Sequence, residues 1–225
     1  MTAHTFVLVP GAWHGAWCYR RVVDILEAAG HKVYALSLTG LADRSHLASD
    51  AVNLDTHIAD VVNLVKWEDL HDIVLVGHSY AGVVLGGAAE EIADRVKSIV
   101  FLDAFMPEAG KSMVDISPRE VPSTGNLTPY SAAGMKVNQA DQAWVDSLVT
   151  PQPVNTYVQP LGEASAYLTI PKKTFVRTTF PSAGWQDSYD QYTADPDWTT
   201  YLVESGHDIM VDQPAELARI LIEVA

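Results

Sequence analysis

Gly77-His78-Ser79-Tyr80-Ala81-Gly82 stands directly between an apolar run, Ile73 to Val76, and a small-residue helical pattern, Ala81 to Ala93. A serine on a sharp strand-to-helix turn has its hydroxyl lifted clear of a sheet, and its neighbours must be small because the backbone folds back on itself there. A serine oxygen is a weak nucleophile, so such a turn does chemistry only if a base reaches it. The base this chain offers is His207, in Glu204-Ser205-Gly206-His207-Asp208, immediately after the last strand-like run. None of the other histidines, His4, His14, His31, His46, His57, His71 and His78, falls in H-E-x-x-H or another zinc spacing, so no metal is expected. Acyl transfer through a serine also needs two preorganised N–H donors for the oxyanion. One is expected from the backbone of Tyr80, directly after the serine. The other is expected from Ala12 in Val9-Pro10-Gly11-Ala12-Trp13-His14-Gly15, a tight turn closing the first strand-like run.

Those residues need a scaffold, and hydrophobic patterning supplies one. Phe6 to Pro10 is a short apolar run. Cys18 to Ala29 places Val22, Val23, Ile25 and Leu26 at helical spacing and stops at Gly30, a C-terminal cap glycine, after which Lys32 to Leu38 is again strand-like. Thr56 to Val65 reads as an amphipathic helix and Ser98 to Leu102 as another strand without a wet face. Strands apolar on both faces, alternating with helices, specify an α/β fold with a mostly parallel sheet covered on both sides. From Pro107 to Pro171 the rhythm breaks: prolines at 107, 118, 122, 129, 151, 153, 160 and 171 cut the chain into short pieces, with a brief helical pattern near Ala140 to Leu148. Sheet-like runs resume at Thr174 to Thr178 and Trp198 to Val203, followed by a helix from Pro214 to Val224. The expected organisation is a core of residues 1–106 and 172–225 with 107–171 as an inserted cap.

The chain has 225 residues, 48% hydrophobic and 19% charged, which is too apolar for disorder and enough for one sizeable core. Its formal net charge of −14 repels nucleic acid and anionic lipid head groups, so neither nucleic acid nor membrane is an expected partner. No stretch approaches the ~20 apolar residues of a membrane helix, and the first residues lack the basic and apolar regions of a secretory signal. Cys18 is the single cysteine and has no partner for an internal disulfide. Together these features point to the cytoplasm and leave the Asn126-Leu127-Thr128 sequon without weight. A monomer or homodimer acting on a small molecule is expected.

Across nearly its whole length the sequence resembles the esterase and hydroxynitrile lyase branch of the α/β-hydrolases, which includes plant methylesterases and bacterial carboxylesterases. The likeness rests on Phe6-Val7-Leu8-Val9-Pro10-Gly11-Ala12-Trp13-His14-Gly15-Ala16-Trp17, Gly77-His78-Ser79-Tyr80-Ala81-Gly82, Phe101-Leu102-Asp103-Ala104-Phe105-Met106-Pro107 and Gly206-His207-Asp208-Ile209-Met210, and is weakest in 107–171. It implies an α/β-hydrolase sheet with a small cap, a triad of Ser79, His207 and an acid, no cofactor, and small or aromatic carboxylic esters as substrates. Chain order agrees, with the serine first and the histidine on the loop after the final strand. Pro10 departs from the histidine that relatives often have before the glycine, and Ala81 from the second glycine of the elbow, with Gly82 next. Lyases of this branch carry a lysine directly after the catalytic histidine, for cyanide, and a threonine in the first loop, for the cyanohydrin hydroxyl. Asp208 and Ala12 stand there instead, which favours ester hydrolysis over cyanide release. A low-turnover small-molecule binder on the same fold is the other alternative.

An acid must orient His207 and stabilise its imidazolium. The family's usual position for it follows the strand that resumes behind the cap, and here Thr178-Thr179 continues as Phe180-Pro181-Ser182-Ala183-Gly184 without a carboxylate. Asp103, at the end of the strand next in sequence after the serine's, is an alternative location seen in other α/β-hydrolases and is the first choice. Asp187 is next, ahead of Asp190 and Glu204. Trp13, Tyr80, Phe105, Met106, Trp144 and Tyr157 are expected to line an apolar pocket. An anionic substrate would need Arg20, Arg44 or Arg119 aimed inward to offset the net charge.

Overall fold

The computed structural model describes residues 2–225. In chain order its strands are β1 (Thr5–Val9), β2 (Lys32–Ala35), β3 (Ile73–His78), β4 (Val96–Leu102), β5 (Asn126–Leu127), β6 (Gln152–Pro153), β7 (Lys172–Thr178) and β8 (Trp198–Val203). Its α-helices are α1 (Arg20–Ala28), α2 (Leu54–Trp67), α3 (Ala81–Ile92), α4 (Met113–Ile116), α5 (Gln142–Leu148), α6 (Asn155–Val158), α7 (Ala183–Thr193), α8 (Ile209–Asp212) and α9 (Pro214–Glu223). Six strands form one parallel sheet in the order β2-β1-β3-β4-β7-β8, while β5 and β6 pair with each other in antiparallel fashion.

Alternation along the strands divides the interior into two layers. Phe6, Leu8, Val74 and Val76 share one layer with Val22 and Leu26 of α1 and Leu217 and Leu221 of α9. Val7, Val9, Ile73 and Leu75 share the other with Val61 and Val65 of α2 and Val84 and Leu85 of α3. Because both faces are covered, the central strands read as continuous apolar runs. No helix among the described residues is long and apolar enough to cross a membrane.

Local rules account for where elements begin and end. Asn53 accepts the Thr56 amide while Thr56 Oγ1 accepts the Asn53 amide, a reciprocal cap that starts α2 at Leu54, two residues before the apolar pattern shows it. Gly30 ends the first helical unit at φ +86°. Strand β2 stops at Ala35, short of the expected Leu38. Helix α7 occupies a stretch where no helix is expected; its sequence, Ala-Gly-Trp-Gln-Asp-Ser-Tyr-Asp-Gln-Tyr-Thr, is too polar for an apolar stripe to announce it. Between β4 and β7 the chain adds no strand to the main sheet and folds as short helices and the small β5–β6 pair.

The register decides what meets at the carboxyl edge of the sheet. Val9 lies beside Gly77, Gly77 beside Phe101, and His78 beside Leu102. The turn after β1, Ser79 after β3 and Asp103 after β4 therefore emerge side by side, at the edge where ligands bind in open α/β sheets.

Candidate active site

Ser79 holds φ 53°, a left-handed conformation that costs a non-glycine residue about 1–3 kcal/mol and that persists only where its surroundings over-determine it. Here they do. The Ser79 amide donates to Leu102 O at 3.0 Å, and its carbonyl accepts from Gly82 at 3.1 Å and Phe105 at 3.1 Å. The tightest small-residue requirement falls on Gly82, where a Cβ would come within 2.1 Å of the Phe105 carbonyl oxygen. This explains how Ala81 is tolerated one position earlier.

Residue 103 leaves β4 with φ 40° and is fully buried. Its carboxylate Oδ2 accepts from His207 Nδ1 at 3.2 Å and from the Thr178 hydroxyl, and its Oδ1 accepts from the Thr178 amide at 2.8 Å and from Arg177 Nη1 at 3.0 Å. Burial raises the pKa of Asp103, but the hydrogen bonds from His207 and Thr178 more than offset it and hold the carboxyl below its usual range. Arg177 also donates to the carbonyls of Phe180 and Ser182, so it ties the loop after β7 to the carboxylate standing at the end of β4. The loop without a carboxylate after β7 and the Asp103 carboxylate are thus joined by a single guanidinium. Asp187, Asp190 and Glu204 are all exposed.

With Nδ1 committed to Asp103, Nε2 is the free nitrogen of His207. The ring is stacked on Trp185 (4.4 Å between centroids, 13° between planes), with His78 on another side at 4.4 Å. His78 Nε2 donates to the His207 carbonyl at 2.9 Å, which leaves its buried Nδ1 without a partner. Burial, reinforced by the charge of His207, lowers the His78 pKa to about 3, so it acts as a neutral strut. Ser79 and His207 line one cavity of about 310 Å³. Among the described residues the Ser79 hydroxyl makes no hydrogen bond; nucleophile–base contacts in unliganded sites are often long and tighten on substrate binding. The backbone N–H groups of Ala12 and Tyr80 also donate to no acceptor among the described residues, the condition an oxyanion site requires.

The turn that carries Ala12 is braced from below. His14 Nδ1 donates to Ala12 O at 2.8 Å and its Nε2 to Asp208 Oδ2 at 3.1 Å, and both side chains are buried. A carbonyl and a carboxylate can only accept, so both ring nitrogens carry hydrogen and the pair is imidazolium with carboxylate. Burial opposes the charge on His14, but the Asp208 carboxylate outweighs it and the His14 pKa is raised; the Asp208 pKa is driven down in turn, against its own burial. At the sequence level Asp208 registers only as the absence of a lysine, and its pairing with His14, 194 positions away, has no local signal.

Of the expected pocket residues, Trp13, Phe105 and Tyr157 line the cavity. Three others do not. Trp144 projects from α5 against Trp17, with the Arg21 guanidinium over its ring. Met106 packs on the apolar core. The Tyr80 side chain turns inward, where its hydroxyl meets His57 Nδ1 at 3.0 Å, so only its backbone is placed for the site. Sequence reasoning missed Tyr130, Phe180 and Trp185, which complete the walls. Among the described residues no cluster of three or more His, Cys, Asp or Glu side chains could hold a metal ion.

Residues 6–220 match the model of the alpha/beta hydrolase family. The chain belongs to that family. It is 37% identical to a carbendazim hydrolyzing esterase of Nocardioides sp. over 96% of this chain and 97% of that protein, and 27% identical to salicylic acid-binding protein 2 of Nicotiana tabacum over 98% and 96%. Among solved structures, an extracellular alpha/beta-hydrolase from a Paenibacillus species superposes with a TM-score of 0.82 at 22% identity, covering 99% of each chain. Its curated relatives include esterases and methylesterases, with an alpha-hydroxynitrile lyase of Arabidopsis thaliana among the partial matches (35% identical over 47% of this chain and 41% of that protein), and carboxylic ester hydrolysis is its chemistry.

Proposed function

We propose that Ser79, His207 and Asp103 form a catalytic triad that hydrolyses small or aromatic carboxylic esters through an acyl-enzyme. The observation that carries this reading is the 3.2 Å contact from His207 Nδ1 to a buried Asp103, in a cavity shared with a serine held at φ 53°. Asp103 keeps the proton on Nδ1, so Nε2 is the base that takes the Ser79 proton. The serine oxygen attacks the ester carbonyl, the oxyanion forms against the Ala12 and Tyr80 amides, and His207 returns the proton to the departing alkoxide. Water, deprotonated by the same imidazole, then releases the acid. Residues 107–171 serve as the cap that walls this cavity, supplying Tyr130 and Tyr157.

Against a hydroxynitrile lyase stands Asp208, which fills the place of the lysine with a carboxylate already committed to His14. The name of the Nocardioides relative adds carbendazim to the esters to be assayed. Ser79→Ala should lower p-nitrophenyl acetate hydrolysis by at least ~10³-fold. Activity retained by that variant, or cyanide released from mandelonitrile by the wild type, would overturn the assignment.

A further inference from the structure

Two sets of rings line the cavity. Against the His207 imidazole stand Phe180 and Trp185, with centroids 5.9 Å apart, and Phe105 lies 5.1 Å from Trp185. The second set is Trp13, Tyr130 and Tyr157, and in its middle lies a cation: the Arg119 guanidinium is 4.8 Å from the Tyr130 ring, 5.4 Å from Trp13 and 5.8 Å from Tyr157. Five of the seven arginines, Arg21, Arg44, Arg95, Arg177 and Arg219, are ion-paired. Arg20 is exposed on the surface at the start of α1. Arg119 alone lines the cavity, and among the described residues no carboxylate lies within 4.0 Å of it. Aromatic rings offer a guanidinium no oxygen acceptor, so the five N–H donors of its planar fork stay in need of oxygen. The neighbouring Tyr157 hydroxyl can take only a small share of these donors.

We propose that Arg119 is a substrate-recognition residue that receives an oxygen acceptor, a carbonyl or a carboxylate, carried on an aromatic ester whose scissile carbonyl lies at Ser79. This rests on the ester-hydrolase reading of the site and narrows its substrate class. The aromatic body fits between the two ring sets, and the acceptor meets the guanidinium fork through charge-assisted hydrogen bonds. A guanidinium at this point also lets a chain of net charge −14 accept an anionic ester that its overall field would turn away.

The test compares methyl benzoate with methyl 4-acetylbenzoate and monomethyl terephthalate in the wild type, Arg119→Leu and Arg119→Lys. The quantity read is the ratio of kcat/KM for each acceptor-bearing ester to that for methyl benzoate. In the wild type at least one ratio should be about 10- to 100-fold, the range for hydrogen bonds to a charged donor. It should collapse to about 1 in Arg119→Leu and be partly kept in Arg119→Lys, which has charge without the fork. The acetyl and carboxylate arms separate a neutral acceptor from an anion. A ratio near 1 in the wild type, or one unchanged in Arg119→Leu, would overturn the proposal. Equilibrium binding of the same esters to Ser79→Ala, read by the fluorescence of cavity-lining Trp13 and Trp185, gives a second measurement without turnover. Absence of ester hydrolysis in the wild type with binding discrimination intact in Ser79→Ala would refute the ester-hydrolase reading and leave Arg119 recognition standing; hydrolysis by the wild type without discrimination would refute only the latter.

Discussion

Replacing Asp103 with asparagine tests the acid assignment through a change of one atom. The Thr178 amide at 2.8 Å and the Arg177 guanidinium at 3.0 Å both donate to Oδ1, so the asparagine must keep its oxygen there and place its NH2 where Oδ2 stood. That NH2 then faces His207 Nδ1, where the carboxylate accepted at 3.2 Å. An amide nitrogen can only donate, so Nδ1 becomes the lone-pair nitrogen and the ring proton moves to Nε2. An imidazole with its proton on Nε2 cannot accept one from Ser79. In serine hydrolases of this design the wrong tautomer costs about 10⁴-fold in kcat, or roughly 5 kcal/mol. The expected result is a folded Asp103→Asn enzyme whose single-turnover acylation by p-nitrophenyl acetate, followed as p-nitrophenolate release in a stopped-flow instrument, is slowed by at least 10³-fold. Asp187→Asn, altering an exposed side chain on α7, should acylate within twofold of wild type. Near-normal acylation by Asp103→Asn, with a native circular dichroism spectrum, would refute the reasoning.

Two other substitutions probe what surrounds the triad. Asp208→Ala removes the carboxylate that anchors His14 Nε2, so the ring that holds the Ala12 carbonyl loses its fixed position and the Ala12 amide is loosened; kcat should fall about 10- to 100-fold with KM little changed, since the loss falls on the developing oxyanion rather than on ground-state binding. An equal loss in binding of a non-reactive ester analogue would contradict this. His57 is buried and its pKa is lowered from 6.5 to about 4, chiefly by desolvation. Its folded value lies below the unfolded one, so stability is complete above pH 6.5 and falls as pH drops toward 4, by about 2 kcal/mol at pH 5. Urea midpoints at pH 8 and pH 5 should therefore differ less for His57→Gln than for the wild type, and parallel shifts would show that His57 is not responsible.

The parts of the site that can be read from the sequence are those fixed by local backbone rules. A serine between small residues, placed after an apolar run and before a helix, needs no knowledge of the fold to be singled out, and φ 53° at Ser79 is its structural counterpart. The same holds for the turn at Pro10-Gly11. Asp103 is different: its place at a strand end ranks it ahead of Asp187, but only the pairing of β4 with β7 brings Thr178 and Arg177 to its carboxylate. Arg119 and Tyr130 lie in a proline-cut segment without periodicity, where nothing in the residue order says which side chains turn inward. Trp144 and Met106 mark the limit of inferring a pocket from residue type, as large apolar side chains serve a core as readily as a cavity.

Residues 207 and 208 explain how three strand ends act as one site. His207 reaches the carboxylate at the end of β4, its carbonyl accepts from His78 at the end of β3, and Asp208 holds His14 in the turn after β1. A two-residue segment after β8 is thus bonded to Asp103, to the residue before Ser79 and to the turn that carries Ala12. Each of these bonds involves a buried imidazole, and each histidine is fixed in a different state: His207 hydrogen-bonded through Nδ1 with Nε2 free, His78 neutral, His14 doubly protonated. The states follow from the partner at each nitrogen, since a carbonyl demands a donor and a carboxylate rewards a cation. His207 therefore stands 4.4 Å from a histidine that stays neutral, and His14, 6.3 Å from His78, has its charge compensated by Asp208. An aspartate in place of a lysine after the histidine is what makes this possible, because a cation there would leave His14 without its anion and the turn that carries Ala12 without its brace.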